Sequence, residues 1–169
     1  MDLKRVFLHI DVELENKNKT LKDCLPILNE YNSLDYLQFI KKENMKLMSK
    51  KGNYIKIKID KLGMYKPVNF DAYLIIWYND GYSPIHNHPE RGCIFKVLAG
   101  SIREIRYSKN RFAELSDSTI QKGDCCYIHD NTALHKVKNR EICSLSISLH
   151  IYSPRGYTPQ TYEASLNEI

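Results

Sequence analysis

The chain has 169 residues, 43% of them hydrophobic and 27% charged, with a net charge of +5, which suits one globular domain able to bury roughly two-thirds of its unfolded surface. No stretch approaches the ~20 apolar residues that span a bilayer, and Met1-Asp-Leu-Lys-Arg-Val carries no secretory signal, so no membrane partner is expected and the expected location is cytoplasmic. Five cysteines (Cys24, Cys93, Cys125, Cys126, Cys143) are odd in number, scattered and without a Cys-x-x-Cys pair, which argues against a disulfide framework or a cysteine zinc site and for reduced thiols.

Val6, Leu8, Ile10 and Val12 alternate with Phe7, His9, Asp11 and Glu13, a period of two that predicts an N-terminal strand with His9 at the surface. The polar run 15–20 is a connection. Thr20, with Asp23 three residues on, caps a short helix through about Tyr31, shortened or kinked by Pro26. Ser33 caps a second helix bearing Leu37, Ile40, Met45 and Met48 as an apolar stripe and closing at Lys50-Lys51-Gly52. Residues 41–66 hold nine lysines, no arginine and two acidic residues. Lysine, asparagine, isoleucine and tyrosine are abundant together along the chain, so this run reflects composition; with no recognition motif beside it, no nucleic-acid partner is expected.

From residue 54 onward helical periodicity disappears. Ile55, Ile57 and Ile59 alternate with Lys56 and Lys58, and short strand-like runs recur at 72–78, 93–98, 101–107, 111–116, 124–128, 134–138 and 142–152. Short strands without helical crossovers predict an antiparallel sandwich or barrel preceded by two helices. The expected organisation is a single domain over 1–169: an N-terminal strand and helices (1–53) packed on a β body with a C-terminal tail (54–169), acting as a monomer.

The stretch Ser83-Pro-Ile-His-Asn-His-Pro-Glu-Arg-Gly-Cys93 follows a turn at Asn79, Asp80 and Gly81. On an extended strand His86 and His88 point the same way. They are then either half of a transition-metal site or a pair of exposed strand histidines. Leu98-Ala-Gly100 reads as a tight turn that makes a hairpin-like unit of the histidine strand and its neighbour. Leu134-His135-Lys-Val offers His135 as an inward third ligand, while His129, in the preceding turn, is placed at the surface or behind the ligands. In the last strand Ser144, Ser146, Ser148, His150 and Tyr152 share one face and Leu145, Ile147, Leu149 and Ile151 the other. Alternation alone makes the polar face solvated. In a small barrel that face would line the lumen, and Ser148, His150 and Tyr152 would form a hydrogen-bond chain.

Taken together, Gly81-x4-His86-x-His88, Gly100, Gly123 and His135 resemble the paired signature of the cupin superfamily. Ser83-Pro-Ile-His-Asn-His-Pro, Cys93-Ile-Phe-Lys-Val-Leu-Ala-Gly-Ser-Ile-Arg-Glu and Ser148-Leu-His-Ile-Tyr-Ser-Pro154 are similar, more narrowly, to the cysteine dioxygenase family, over roughly residues 54–155. The resemblance implies a mainly β fold, a cupin-type antiparallel β-barrel or jelly roll. It implies a non-haem iron enzyme whose partners are a small thiol and dioxygen and whose product from free L-cysteine is cysteine sulfinic acid. By the same resemblance Fe(2+) is held by His86, His88 and His135, and Cys93 stands where most cupins place a glutamate ligand. Tyr152 lies over the reacting centre, oriented by His150 and Ser148, and in some members it joins the cysteine at Cys93's position through a thioether; Trp77 is a wall. Cysteine-specific members carry a Tyr-x-Arg segment for the substrate carboxylate. The nearest match is Tyr65-Lys66-Pro67, which makes Tyr65 and Lys66 the expected substrate-binding pair, with a point charge in place of a bidentate fork. Enzymes acting on 3-mercaptopropionate also lack that arginine. The alternatives are therefore a dioxygenase for 3-mercaptopropionate or another small thiol, and a catalytically silent metal-binding cupin.

Overall fold

A computed structural model describes residues 1–40, 54–141 and 144–162. The apolar positions Met45 and Met48, the expected stop at Lys50-Lys51-Gly52, and Cys143 lie outside the described residues.

The first element is a helix, α1 (Leu3–Glu15), in place of the expected strand. Leu3, Val6, Phe7, Ile10 and Leu14 recur at helical spacing and are all fully buried, whereas Leu8 and Val12, which strand alternation would bury, are 38% and 63% exposed. Asp2 caps the helix by accepting from the Arg5 amide at 2.8 Å. His9 is exposed, as expected. Thr20 and Asp23 form the expected capping box, but the segment splits into a 3-10 turn (Leu21–Cys24) and a short α2 (Leu25–Asn29) with Pro26 in its first turn. After Ser33, whose hydroxyl accepts from the Asp35 amide at 3.1 Å, the chain makes a 3-10 turn, Asp35–Phe39.

Among the described residues ten strands follow: β1 (Tyr54–Lys58), β2 (Asp71–Trp77), β3 (Ile85–His86), β4 (Cys93–Ala99), β5 (Ser101–Tyr107), β6 (Glu114–Gln121), β7 (Cys125–Ile128), β8 (Leu134–Asn139), β9 (Ser146–Tyr152) and β10 (Thr161–Tyr162). They make two antiparallel sheets, β1-β2-β9-β4-β7 and β10-β3-β8-β5-β6. The first sheet is buried on both faces. Leu74, Ile76, Ile94, Leu149 and Ile151 pack against α1 and its neighbours, while Ile75, Trp77, Phe95 and Val97 meet Ile102, Ile120 and Val137 of the second sheet. That double burial explains why 72–77 and 93–98 are nearly continuous apolar runs. Among the described residues no helix is long and apolar enough to cross a membrane.

Three local expectations change. Residues 108–113 form a turn closed by Ser108 N to Ala113 O at 2.8 Å, so the strand expected at 111–116 becomes β6, Glu114–Gln121. Leu98-Ala-Gly100 does not close a hairpin: β4 pairs with β7 and β9, β5 with β6 and β8, and the chain crosses between sheets at Gly100. Gly100 has φ +68°, and a Cβ there would lie 2.4 Å from Ser146 Oγ and 2.9 Å from Leu145 O. Finally, β3 is only two residues long, and His88 lies beyond its end.

Candidate metal centre and cavity

His86 on β3 is the register partner of His135 on β8, which sets the two imidazoles side by side. His88 joins them from the loop, its amide held by Asp130 Oδ1 at 2.6 Å. The loop is itself tied to the helical layer. Arg91 donates to the carbonyls of Leu14, Asn16 and Lys19 at 3.0, 2.7 and 2.8 Å, capping the end of α1. One ring nitrogen from each histidine lies within 4.8 Å of the others, and the three residues are 9%, 4% and 1% exposed.

The hydrogen bonds behind the rings set their protons. His86 Nδ1 is 2.9 Å from the Pro84 carbonyl, which only accepts, so Nδ1 carries the proton. His135 Nδ1 is 2.8 Å from Glu104 Oε1, a carboxylate held by Arg106, and donates likewise. The two Nε2 atoms then face each other 3.1 Å apart with lone pairs on both. Among the described residues His88 Nε2 has no hydrogen-bond partner, and Nδ1 has only Asp130 Oδ1 nearby, at 3.3 Å. Opposed lone pairs and an unsatisfied buried ring are costly unless a cation stands among them. Burial, with His88 nearby, pushes the His86 pKa down to about 4; burial also lowers His88, and lowers His135 far below the usual imidazole range. Three neutral imidazoles are the ligand form, so the donor set fits a transition metal.

A second chain of groups runs along β9. The Trp77 indole donates to Ser148 Oγ at 2.8 Å, and Ser148 Oγ is 2.8 Å from His150 Nε2. The indole only donates, leaving the serine hydroxyl free to give its proton to Nε2. His150 Nδ1 then faces the Tyr152 hydroxyl at 3.4 Å, a loose contact. Phe95 stacks on His150 with centroids 4.9 Å apart. Ser146, Ser148, His150 and Tyr152 are all buried, so the solvated face that alternation alone favours is instead the lumen. Cys93, fully buried, is Tyr152's cross-strand partner. Burial raises the pKa of the thiol, and burial together with Cys93 raises that of the phenol, so both are protonated at neutral pH.

A cavity of about 60 Å³ opens beside these groups, lined by Tyr54, Lys56, Trp77, His86, His150 and Tyr152. Lys56 faces it because of register: Lys56, Ile75, Ser148 and Val97 form one row across β1, β2, β9 and β4. The residue is exposed overall, and its ammonium lies 3.9 Å from the centroid of the Tyr73 ring and 4.9 Å from that of Tyr152. Burial lowers its pKa. Among the described residues no carboxylate forms an ion pair with it.

Tyr65 and Lys66 are not brought to the cavity. The Tyr65 hydroxyl bonds to Asp11 and to Phe7 O, on the side where α1 packs, and Lys66 is exposed. His129 is partly exposed and bonds through Nε2 to Glu90 O at 2.8 Å, apart from the trio. Sequence reasoning missed Lys56, Glu104 and Asp130. A signal existed for Glu104, which shares strand parity with the core residue Ile102.

A family model described as cysteine dioxygenase type I matches residues 46–165. Cysteine dioxygenase type 1 of Rattus norvegicus is 31% identical over 90 residues, which are 50% of this chain and 45% of that protein, so this match spans less than half of the relative. The Danio rerio protein of the same name is 24% identical over 162 residues, covering 87% of this chain and 81% of its own. Among solved structures, a conserved protein from Klebsiella pneumoniae with a double-stranded β-helix domain aligns at TM-score 0.55 and 12% identity, over 79% of this chain and 92% of its own. Oxalate oxidase in complex with glycolate aligns at 0.55 and 13%, over 68% and 57%. At such identities these structures speak to the fold alone: the double-stranded β-helix of cupins, as expected from the sequence.

Proposed function

We propose, from the premise that this chain belongs to the cysteine dioxygenase family, that it oxidises the thiol of free L-cysteine to cysteine sulfinic acid with dioxygen. The observation that carries this reading is one small cavity where His86 of a carboxylate-free trio of neutral imidazoles meets a buried tyrosine and a lysine that has no ion pair among the described residues. A thiolate and one dioxygen molecule make a sulfinate without any further reductant.

His86, His88 and His135 would hold ferrous iron, which supplies open coordination positions and the redox chemistry that brings thiolate and dioxygen together. Because all three ligands are neutral, the site has charge to spare for an anionic sulfur. Lys56, rather than Tyr65 or Lys66, takes the substrate carboxylate, as the cation on the cavity wall. Tyr152 keeps its proton and offers it into the cavity. Ser148 and His150 hold the phenol in place, with the Trp77 indole anchoring the far end. The cross-strand pairing of Cys93 with Tyr152 supports a thioether between them. Free cysteines among the described residues accord with a cytoplasmic, reducing setting, and we take the chain to act there as a monomer.

A second reading has one observation in its favour. Lys56 supplies a point charge where a bidentate fork would orient the whole amino acid, which suits a simpler acid such as 3-mercaptopropionate. Dioxygen uptake by anaerobically iron-loaded protein, with L-cysteine and 3-mercaptopropionate compared, separates the two. Higher kcat/KM on L-cysteine is expected; higher kcat/KM on the other thiol would transfer the assignment to it. A protein inert to every small thiol would be the silent metal-binding cupin instead.

A further inference from the structure

The cavity chemistry leaves unused a buried carboxylate on β5. Glu104 is 3% exposed and faces the barrel interior. Its Oε1 meets His135 Nδ1 at 2.8 Å, and its Oε2 accepts from Arg106 Nε at 2.9 Å; Arg106 Nη2 lies 3.4 Å from Oε1. Arg106 also donates to Tyr127 O at 2.9 Å, and it is the register partner of His135 across β5 and β8. The guanidinium can only donate, so the carboxylate presents itself to His135 as an acceptor. Arg106, Glu104 and His135 thus form a directed chain that ends in the lone pair of His135 Nε2, and that lone pair points at His86 Nε2, 3.1 Å away.

We propose that Glu104, held by Arg106, is a positioning residue: it keeps His135 in the Nδ1–H form with Nε2 aimed into the trio, and so sets the metal affinity of the site. Cys93 stands at the position of a carboxylate ligand, and Glu104 returns a carboxylate one imidazole further out. There it would steer a ligand without occupying a coordination position. The proposal rests on the metal-holding reading of the trio.

Glu104→Gln is nearly isosteric but breaks the chain's direction. His135 Nδ1 and Arg106 Nε bind different oxygens of Glu104, so a glutamine oxygen serves one of them and turns its NH2 toward the other. Where it serves Arg106, the amide nitrogen faces Nδ1 and drives the ring proton to Nε2, which removes the ligand lone pair. Loss of such a partner typically costs 10–100-fold in metal affinity.

The test has two arms. In the first, Co(II) and Fe(II) are titrated anaerobically into wild-type protein, Glu104→Gln and Arg106→Gln. Glu104→Gln is expected to bind roughly 10–100-fold more weakly, and Arg106→Gln to lose less, because it keeps the carboxylate. In the second, long-range ¹H–¹⁵N correlation spectra of histidine-labelled, metal-free protein report which nitrogen of His135 carries the proton. Wild type is expected as Nδ1–H, with Glu104→Gln shifted toward Nε2–H. A purely structural Glu104–Arg106 pair would move stability and leave the tautomer alone. Should Glu104→Gln not fold, the wild-type tautomer and Arg106→Gln still decide: wild-type His135 protonated at Nε2, or unchanged affinity in the folded variants, overturns the proposal. Wild-type protein that binds neither metal would instead overturn the metal reading beneath it.

Discussion

Lys56 is the residue on which the substrate assignment turns, and Lys56→Met tests it. Its ammonium sits on the cavity wall, 4.9 Å from the Tyr152 ring centroid, with no carboxylate paired to it among the described residues. A hydrogen bond to a charged group contributes about 1.5–3 kcal/mol. Two unit charges about 4 Å apart at an effective dielectric near 20 set a ceiling of about 4 kcal/mol. The middle of that range, about 2 kcal/mol, corresponds to a roughly 30-fold fall in kcat/KM. The assay is dioxygen consumption by iron-loaded protein with L-cysteine and with cysteamine, which keeps thiol and amine but lacks the carboxylate. Lys56→Met should lose roughly 30-fold on L-cysteine and little on cysteamine, so the preference between them collapses; Lys56→Arg should retain most of it. Equal losses on both thiols would mean that the lysine acts by packing over Tyr152. No loss on L-cysteine would mean that it does not read the carboxylate at all.

Other consequences follow from the same geometry. The folded His86 pKa of about 4 lies below the ordinary 6.5, so the unfolded chain takes up the proton first. Stability of the metal-free protein is therefore full above about pH 6.5 and falls as pH drops toward 4, by about 3 kcal/mol from His86 alone. Thermal unfolding between pH 7.5 and pH 4.5 checks this, and a flat or rising Tm on acidification would contradict it. Gly100→Ala combines φ +68° with a Cβ 2.4 Å from Ser146 Oγ. It should cost roughly 3 kcal/mol, or about 6–12 °C in Tm; an unchanged Tm would show that the crossing between sheets relaxes freely. After aerobic turnover, the peptides bearing Cys93 and Tyr152 should run as one linked species lighter than their sum by two hydrogen atoms, a species lost in Cys93→Ser. Only unlinked peptides after turnover would rule out the thioether.

Much of the barrel was legible because its strands are short, apolar and separated by turns, and because the doubly buried sheet leaves nearly unbroken runs at 72–77 and 93–98. The N-terminal error has a physical cause. Val6 and Ile10 satisfy periods of both two and four, and the choice rests on Leu3, Phe7 and Leu14, which only a helix brings to one face. The histidine trio was legible through a coincidence of spacing. His86 and His88 sit on a two-residue strand and its trailing loop, yet the β3–β8 register still sets His86 beside His135. Lys56 was not legible, because a lysine that alternates with isoleucine looks solvated until the sheet order places it in one row with Ile75 and Ser148. The match of Tyr65-Lys66-Pro67 to a Tyr-x-Arg segment suggested Tyr65 and Lys66 instead, but their loop belongs to the outer face, where Tyr65 binds Asp11. The polar face of β9 shows the same limit: alternation says that one face is polar, and only closure of the barrel says that it is inside.

The central claim is that both oxygen atoms of one dioxygen molecule end on the sulfur of a small thiol at the trio of His86, His88 and His135. Turnover of iron-loaded protein with L-cysteine under ¹⁸O₂, followed by mass spectrometry of the product, tests it most directly. The expected result is cysteine sulfinic acid carrying two ¹⁸O atoms, one dioxygen consumed per sulfinate, and no product from His135→Ala. Disulfide as the sole product, or sulfinate with oxygen drawn from water, would contradict the account.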